Sequence, residues 1–219
     1  MDVSINKKNI SLYFFGDSIC VGQFVSVHET WTVEISREIA SQVSNLVTTQ
    51  ISAINGETSR DALGRLSYSI INHRPDIVWI QFGLNDANFW ESDHGLARTS
   101  PQSFTANLRE IISKILLGGS HRVFVATNHL VAKIPEHLHD EQYINNAKLY
   151  NQLVRNVVAT YVADTRVRLV DIELLFEKHD LDAREILLDD GVHLNSLWHQ
   201  LYFEQVFPII KSSVLDLIG

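Results

Sequence analysis

Cysteine is almost missing from this chain, with Cys20 the sole thiol among 219 residues. An internal disulfide is therefore impossible, and cysteine usage implies no oxidising compartment. Basic residues are also short, 18 Lys and Arg against 26 Asp and Glu, for a formal net charge of -8. No Lys/Arg cluster stands ready to neutralise phosphates, which argues against a nucleic-acid or anionic-membrane surface; acidity of this kind serves solubility. Uninterrupted apolar runs are brief, and none approaches the length of a membrane span. The stretch Met1 to Asn9 is polar, carries Lys7 and Lys8, and lacks the apolar segment and small-residue cleavage site of a signal peptide. The expectation is a cytoplasmic protein.

What is present is 45% hydrophobic content, enough for one sizeable core and little for a second. One domain over residues 1–219 is expected, and no repeat, low-complexity segment or linker interrupts it. The chain alternates strands with helices. Apolar or β-branched runs at Leu12–Phe15, Leu46–Ile54, Asp76–Phe82, Arg122–Thr127 and Arg168–Ile172 read as five strands. Helical spacing appears in Trp31, Ile35, Ile39 and Val43, and in Leu63, Leu66 and Ile70. Ser100-Pro101 reads as an N-cap followed by proline in the first turn, opening a helix to Leu117. Further helices are expected from Glu141 to about Tyr161 and from Ser196 to Leu217, the last interrupted near Pro208. Strands separated by helices of this length predict an α/β fold: a three-layer α/β/α sandwich on a central, mostly parallel five-stranded sheet.

The chemistry concentrates where strands end. Leu12-Tyr13-Phe14-Phe15 stops abruptly at Gly16-Asp17-Ser18, a buried strand feeding a tight turn. At the carboxyl end of a parallel strand the chain leaves the sheet on the face where α/β proteins build their sites. Ser18 is the candidate nucleophile there, although Asp-Ser after a strand is also an ordinary way to turn and cap a helix. Three later stretches bear on that choice: Asn55-Gly56-Glu57-Thr58, Gly83-Leu84-Asn85-Asp86 and Asp190-Gly191-Val192-His193.

Together with Gly16-Asp17-Ser18, these stretches resemble the four blocks of the SGNH hydrolases, the GDSL esterase/lipase family, whose signature residues are Ser, Gly, Asn and His. The resemblance runs from Leu12 to His193 and implies the family's flavodoxin-like fold. A serine hydroxyl is a weak nucleophile at neutral pH and needs a base, whose tautomer needs an acceptor on the other ring nitrogen. His193 and Asp190 supply that pair, and their spacing puts both side chains on one side of a single turn. Asp189 could serve from one residue further away; the family pattern Asp-x-x-His selects Asp190. The resemblance also implies the oxyanion donors: the backbone N–H of Ser18, the backbone N–H of Gly56 and the side-chain amide of Asn85. Asp17 and Asp86 are expected to brace their loops by accepting backbone hydrogen bonds.

Other residues are assigned lesser roles. Phe89 and Trp90 follow Asn85, and one of them is expected to wall the substrate pocket. His137 and His139, with His129 nearby, show a spacing seen in metal sites but lie in a polar loop; they read as exposed histidines, and no metal and no cofactor is expected. His199 fits no Asp-x-x-His pattern and reads as structural. A flavodoxin-like nucleotide-binding module would want a phosphate loop after the first strand, where this chain puts the carboxylate of Asp17. The expected function is hydrolysis of a small-molecule ester, with O-acetyl esters of a sugar or small alcohol preferred. A lysophospholipase or acyl thioesterase of the same family is the alternative, and a catalytically silent binding protein is the alternative from another class.

Overall fold

Alternation along the strands decides the layers. The computed structural model of the protein describes residues 9–43, 46–132, 140–177 and 183–219. Among them β1 (Ile10–Gly16), β2 (Val47–Ala53), β3 (Ile77–Gln81), β4 (Arg122–Ala126) and β5 (Val167–Val170) form one sheet in the order β2-β1-β3-β4-β5. Every neighbouring pair is parallel. Along β3, Ile77 and Trp79 join one core cluster while Val78 and Ile80 join the other; along β1, Phe14 and Phe15 divide in the same way. Side chains alternate across a strand, so each cluster is one face of the sheet.

Helices cover both faces. Trp31, Ile35 and Ile39 of α2 (Trp31–Gln42) pack on the first, with Tyr202, Val206 and Ile210 of α9 (Ser196–Ile218). The second is covered by Leu66 of α3 (Ser59–Ser69), Leu108 and Ile111 of α5 (Pro101–Leu117) and Val154 of α6 (Asp140–Ala159). This is the three-layer α/β/α sandwich expected. On its first face Trp31 meets three other rings, lying 5.2 Å from Phe14, 5.3 Å from Trp79 and 4.5 Å from Tyr202. Such pairs each add about 0.5–1.5 kcal/mol beyond the area they bury.

Short elements at the carboxyl edge of the sheet finish the fold: α1 (Ser18–Val21), α4 (Leu84–Ala87), α7 (Ile172–Glu177) and α8 (Ala183–Ile186). Gly16 ends β1 because nothing larger fits, since a Cβ there would stand 2.5 Å from Cys20 Sγ and 2.9 Å from the Gln81 carbonyl oxygen. The chain can then turn at once into Asp17 and Ser18. Gln81 is fully buried at the same edge, and it is satisfied on both sides of its amide. Its Nε2 donates to the Thr127 carbonyl at 3.2 Å, and its Oε1 accepts from the Tyr202 hydroxyl at 3.0 Å.

Two departures from expectation have a plain physical cause. β5 closes at Val170, because Asp171 caps α7: its carbonyl accepts from Leu175 N–H at 3.0 Å and its carboxylate is held by Arg155 at 2.8 Å. Helix α9 is also unbroken at Pro208. Proline removes the bond to the carbonyl of Glu204, but both are exposed, while the flanking Val206, Phe207 and Ile210 are buried against the core and hold the two halves in line. Replacing Pro208 with alanine restores that bond on the solvent face, so Pro208→Ala is expected to stabilise the protein by about 1–2 kcal/mol after allowing for the freer unfolded chain. Urea denaturation checks this, and a lower midpoint for the variant would contradict it.

Candidate active site

The ends of β1, β2 and β3 lie side by side, with Gly16 opposite Ala53 on one edge and Gln81 on the other. The loops that leave them must therefore share one rim. Ile54 N–H donates to the Gly16 carbonyl at 3.1 Å, extending the ladder into the Gly56 turn. Gly56 has φ +74, a left-handed conformation that L side chains rarely adopt. A Cβ there would meet nothing within 4 Å. Within the protein, then, the backbone rather than lack of space demands glycine at this turn.

Two buried carboxylates tie the loops together. Asp17 caps α1, its Oδ1 accepting the Ile19 N–H at 3.0 Å, and its Oδ2 accepts from Asn85 Nδ2 at 3.2 Å. An amide nitrogen carries two hydrogens, so this bond orients Asn85 and leaves a second N–H to give. Asp86 accepts the Ser59 N–H at 2.9 Å and the Ser59 hydroxyl at 2.6 Å, joining the Asn85 loop to the start of α3. Both aspartates do what the sequence assigned to them. Arg98 and Arg65 complete the bracing: Arg98 donates to the Gly56 carbonyl at 3.2 Å, and Arg65 pairs with Glu57 while donating to the Ser52 carbonyl at 3.1 Å.

Ser18 opens α1 with its side chain buried against the turn that carries His193. Its Oγ lies 2.9 Å from His193 Nε2, and His193 Nδ1 lies 2.5 Å from Asp190 Oδ2. Asp190 also accepts the backbone N–H groups of Val192 and His193 at 2.9 Å each. Burial works to raise its carboxyl, but these hydrogen bonds outweigh burial and hold it below the usual carboxylate range. It stays ionised opposite the ring. The structure thus brings Ser18, His193 and Asp190 into one hydrogen-bonded series and ties Asn85 and the Gly56 turn to the same rim. Asp190 rather than Asp189 faces the imidazole.

The remaining histidines sort differently. His129, expected with the exposed histidines, is buried, and its Nε2 lies 2.7 Å from the Val192 carbonyl, behind the His193 turn. Burial pushes its pKa down to about 4. His199 is structural as expected: its Nδ1 accepts the Trp31 N–H at 3.3 Å, and burial depresses its pKa to about 4. His137 and His139 lie outside the described residues. Trp90 is 61% exposed with the Arg98 guanidinium 5.4 Å over its ring, beside a cleft of about 520 Å³, while Phe89 is half-buried. Sequence reasoning missed Arg98, and it missed Phe24, whose ring meets the His193 imidazole edge-on at 5.1 Å. Neither residue lies in a recognisable pattern, so no sequence signal marked them.

Comparison with known proteins shows the family and the fold. The model of the GDSL-like lipase/acylhydrolase family matches residues 14–201. An arylesterase of Vibrio mimicus is 25% identical over 182 residues, covering 83% of this chain and 78% of that protein. Among solved structures, a lipase/acylhydrolase from Enterococcus faecalis has a TM-score of 0.74 at 25% identity, covering 93% of this chain and 96% of that one. An acetyl xylan esterase has a TM-score of 0.74 at 20% identity, covering 92% of this chain and 100% of that one, a likeness of fold. No helix among the described residues is long and apolar enough to cross a membrane.

The carboxyl group of Asp17 has an unusual titration. Burial, set against the Ile19 hydrogen bond and reinforced by the nearby Asp86 charge, pushes its pKa up from 3.8 to about 7. The folded state therefore holds a proton that the unfolded chain has lost, and the stability this contributes is complete below about pH 4 and disappears as pH rises through about 7. Asp17→Asn has no such dependence. Between pH 5 and pH 8 the variant is expected to gain about 2 kcal/mol relative to wild type. Chemical denaturation at the two pH values tests it, and a constant difference would show that Asp17 is ionised throughout.

Proposed function

The chain belongs to the GDSL-like lipase/acylhydrolase family and is an ester hydrolase, and from that premise we propose that it cleaves short-acyl carboxylic esters through a covalent acyl-enzyme on Ser18. The observation that carries this reading is the unbroken series from Ser18 Oγ to His193 Nε2 at 2.9 Å and from His193 Nδ1 to Asp190 at 2.5 Å. As Oγ attacks the acyl carbon, Nε2 takes its proton; the imidazolium then returns that proton to the departing alcohol, and the C–O bond breaks. A water deprotonated by the same nitrogen attacks the acyl-enzyme and releases the acid and free Ser18. Asp190 keeps the ring in the tautomer whose Nε2 lone pair faces serine.

Charge builds on the carbonyl oxygen in both steps, and its partners are the N–H groups of Ser18 and Gly56 and the second amide hydrogen of Asn85. Each such donor is worth about 3 kcal/mol of barrier in acyl transfer. The catalytic machinery lies in one domain, and none of these steps calls on a cofactor. The preferred substrate is an O-acetyl ester of a sugar or small alcohol. Supporting this are the exposed Trp90 ring and half-buried Arg98 beyond Asn85, beside an open and partly polar cleft, and the likeness of fold to an acetyl xylan esterase.

Two measurements test the reading. A fluorophosphonate probe is expected to label the wild-type enzyme and leave Ser18→Ala unlabelled, with hydrolysis of p-nitrophenyl acetate down by at least about 10³-fold in the variant. An unlabelled wild type would make the protein a binding scaffold. Across p-nitrophenyl esters from acetate to palmitate, kcat/KM is expected to fall as the chain lengthens, because the open, partly polar cleft beside Trp90 gives added methylenes little of the about 0.8 kcal/mol each that full burial would gain. A steady rise beyond octanoate would favour the lysophospholipase or thioesterase activity instead.

A further inference from the structure

Phe24 stands in a position that a bulky side chain rarely takes. Its φ is +72, the residue is 68% exposed, and its ring stands at 86° to the His193 imidazole with centroids 5.1 Å apart. A non-glycine residue in the left-handed region is costly and persists where the surroundings enforce it, a pattern that gathers at functional sites. Here the enforcement comes from the candidate nucleophile. The N–H groups of Gly22 and Gln23 both donate to the Ser18 carbonyl, at 2.9 and 3.1 Å, and Val25 N–H closes back on the Gly22 carbonyl at 3.4 Å. The hook carrying Phe24 is thus pinned to the residue whose approach it borders.

We propose that Phe24 determines specificity for the leaving group, presenting an apolar platform to an alcohol that carries a ring with an apolar face, either a phenol or a pyranose. The inference rests on the Ser18–His193 relay and adds a side to it. To receive its proton, the departing oxygen must come within hydrogen-bond reach of His193 Nε2. The carbonyl oxygen is meanwhile turned toward Gly56 and Asn85, at the ends of β2 and β3. The substituent on the departing oxygen therefore lies beside the imidazole, where Phe24 offers an exposed ring face. A phenyl ring or the C–H face of a sugar buries apolar area on such a ring, whereas a methyl group covers little of it. Phe24 acts on acylation, the step in which the alcohol is present. The acyl group carried into the second step does not require it.

The test compares methyl acetate, phenyl acetate and an O-acetylated methyl pyranoside as substrates of wild type, Phe24→Ala and Phe24→Asn. The side chain is exposed, so the fold does not depend on it, and asparagine tolerates the left-handed backbone, which separates loss of the ring from residual strain. In both variants the ratio of kcat/KM for the ring-bearing ester to that for methyl acetate is expected to fall about tenfold. A fall for phenyl acetate alone identifies an aryl alcohol, and a fall for the pyranoside identifies a sugar. An equal loss on all three esters, or a loss in the deacylation rate of the acetyl-enzyme, would overturn the proposal and make Phe24 a packing support of His193. Fluorophosphonate labelling of the wild type, run alongside, separates the two readings. A labelled enzyme whose variants keep wild-type selectivity overturns the platform and leaves the relay standing, while an unlabelled enzyme overturns both.

Discussion

A carboxyl group without access to water holds the rim of this sheet together. Asp17 spends one oxygen on the Ile19 N–H in the first turn of α1 and the other on the amide of Asn85, so the serine turn and the asparagine turn share a single acceptor. Burying such a group is expensive unless its hydrogen bonds are made, and these two are made with groups that would otherwise be orphans. Asp86 repeats the device one loop further on, where it takes both the N–H and the hydroxyl of Ser59. Burial raises the carboxyl groups of both residues. Their cost is the reverse side of their use, because a rigid link between loops has to exclude the water that would loosen it.

These links work because the sheet delivers the loops in register. β1 lies between β2 and β3, and all three end within one residue pair of Gly16. The missing Cβ at Gly16 lets Cys20 and the Gln81 carbonyl close over the strand end, and the turn into Ser18 follows without a spacer. Behind it Trp31, Trp79 and Tyr202 fill the first face, and the Trp31 indole N–H donates to the Ile19 carbonyl at 2.9 Å. The short helix that bears the serine is therefore fixed by the aromatic core from below as well as by Asp17 from its start.

Much of this was legible in the sequence where a single physical rule dominates. A strand buried on both faces is apolar at every position, and Ile77 to Ile80 obeys that rule; Ser100-Pro101 starts a helix because its cap and its proline satisfy the same end. The relay was legible because nucleophile, base and acceptor require particular residue types. What escaped notice depends on partners distant in sequence. Pro208 forecasts a break, yet buried neighbours on both sides keep α9 whole. His129 looks like a loop histidine until the His193 turn folds over it, and Phe24 looks like a loop aromatic until the same turn brings the His193 ring against it. Tertiary context, not propensity, sets all three.

The base itself stands outside the sheet, and its support explains why His129 is buried. The turn from Asp190 to His193 is closed by Leu188 N–H donating to the His193 carbonyl at 2.8 Å and Ala132 N–H donating to the Gly191 carbonyl at 2.9 Å. The Val192 carbonyl remains, and it can only accept, so the His129 Nε2 at 2.7 Å must carry the hydrogen. A charged donor in that place would repel the imidazolium that His193 becomes during proton transfer. Burial, together with the neighbouring His193, holds the His129 pKa down to about 4, against the pull of its bond to Val192. At neutral pH the support is therefore an uncharged imidazole, which donates a hydrogen bond to the turn while adding no positive charge beside the base. A lysine there could supply the same donor only by bringing the charge that the site avoids.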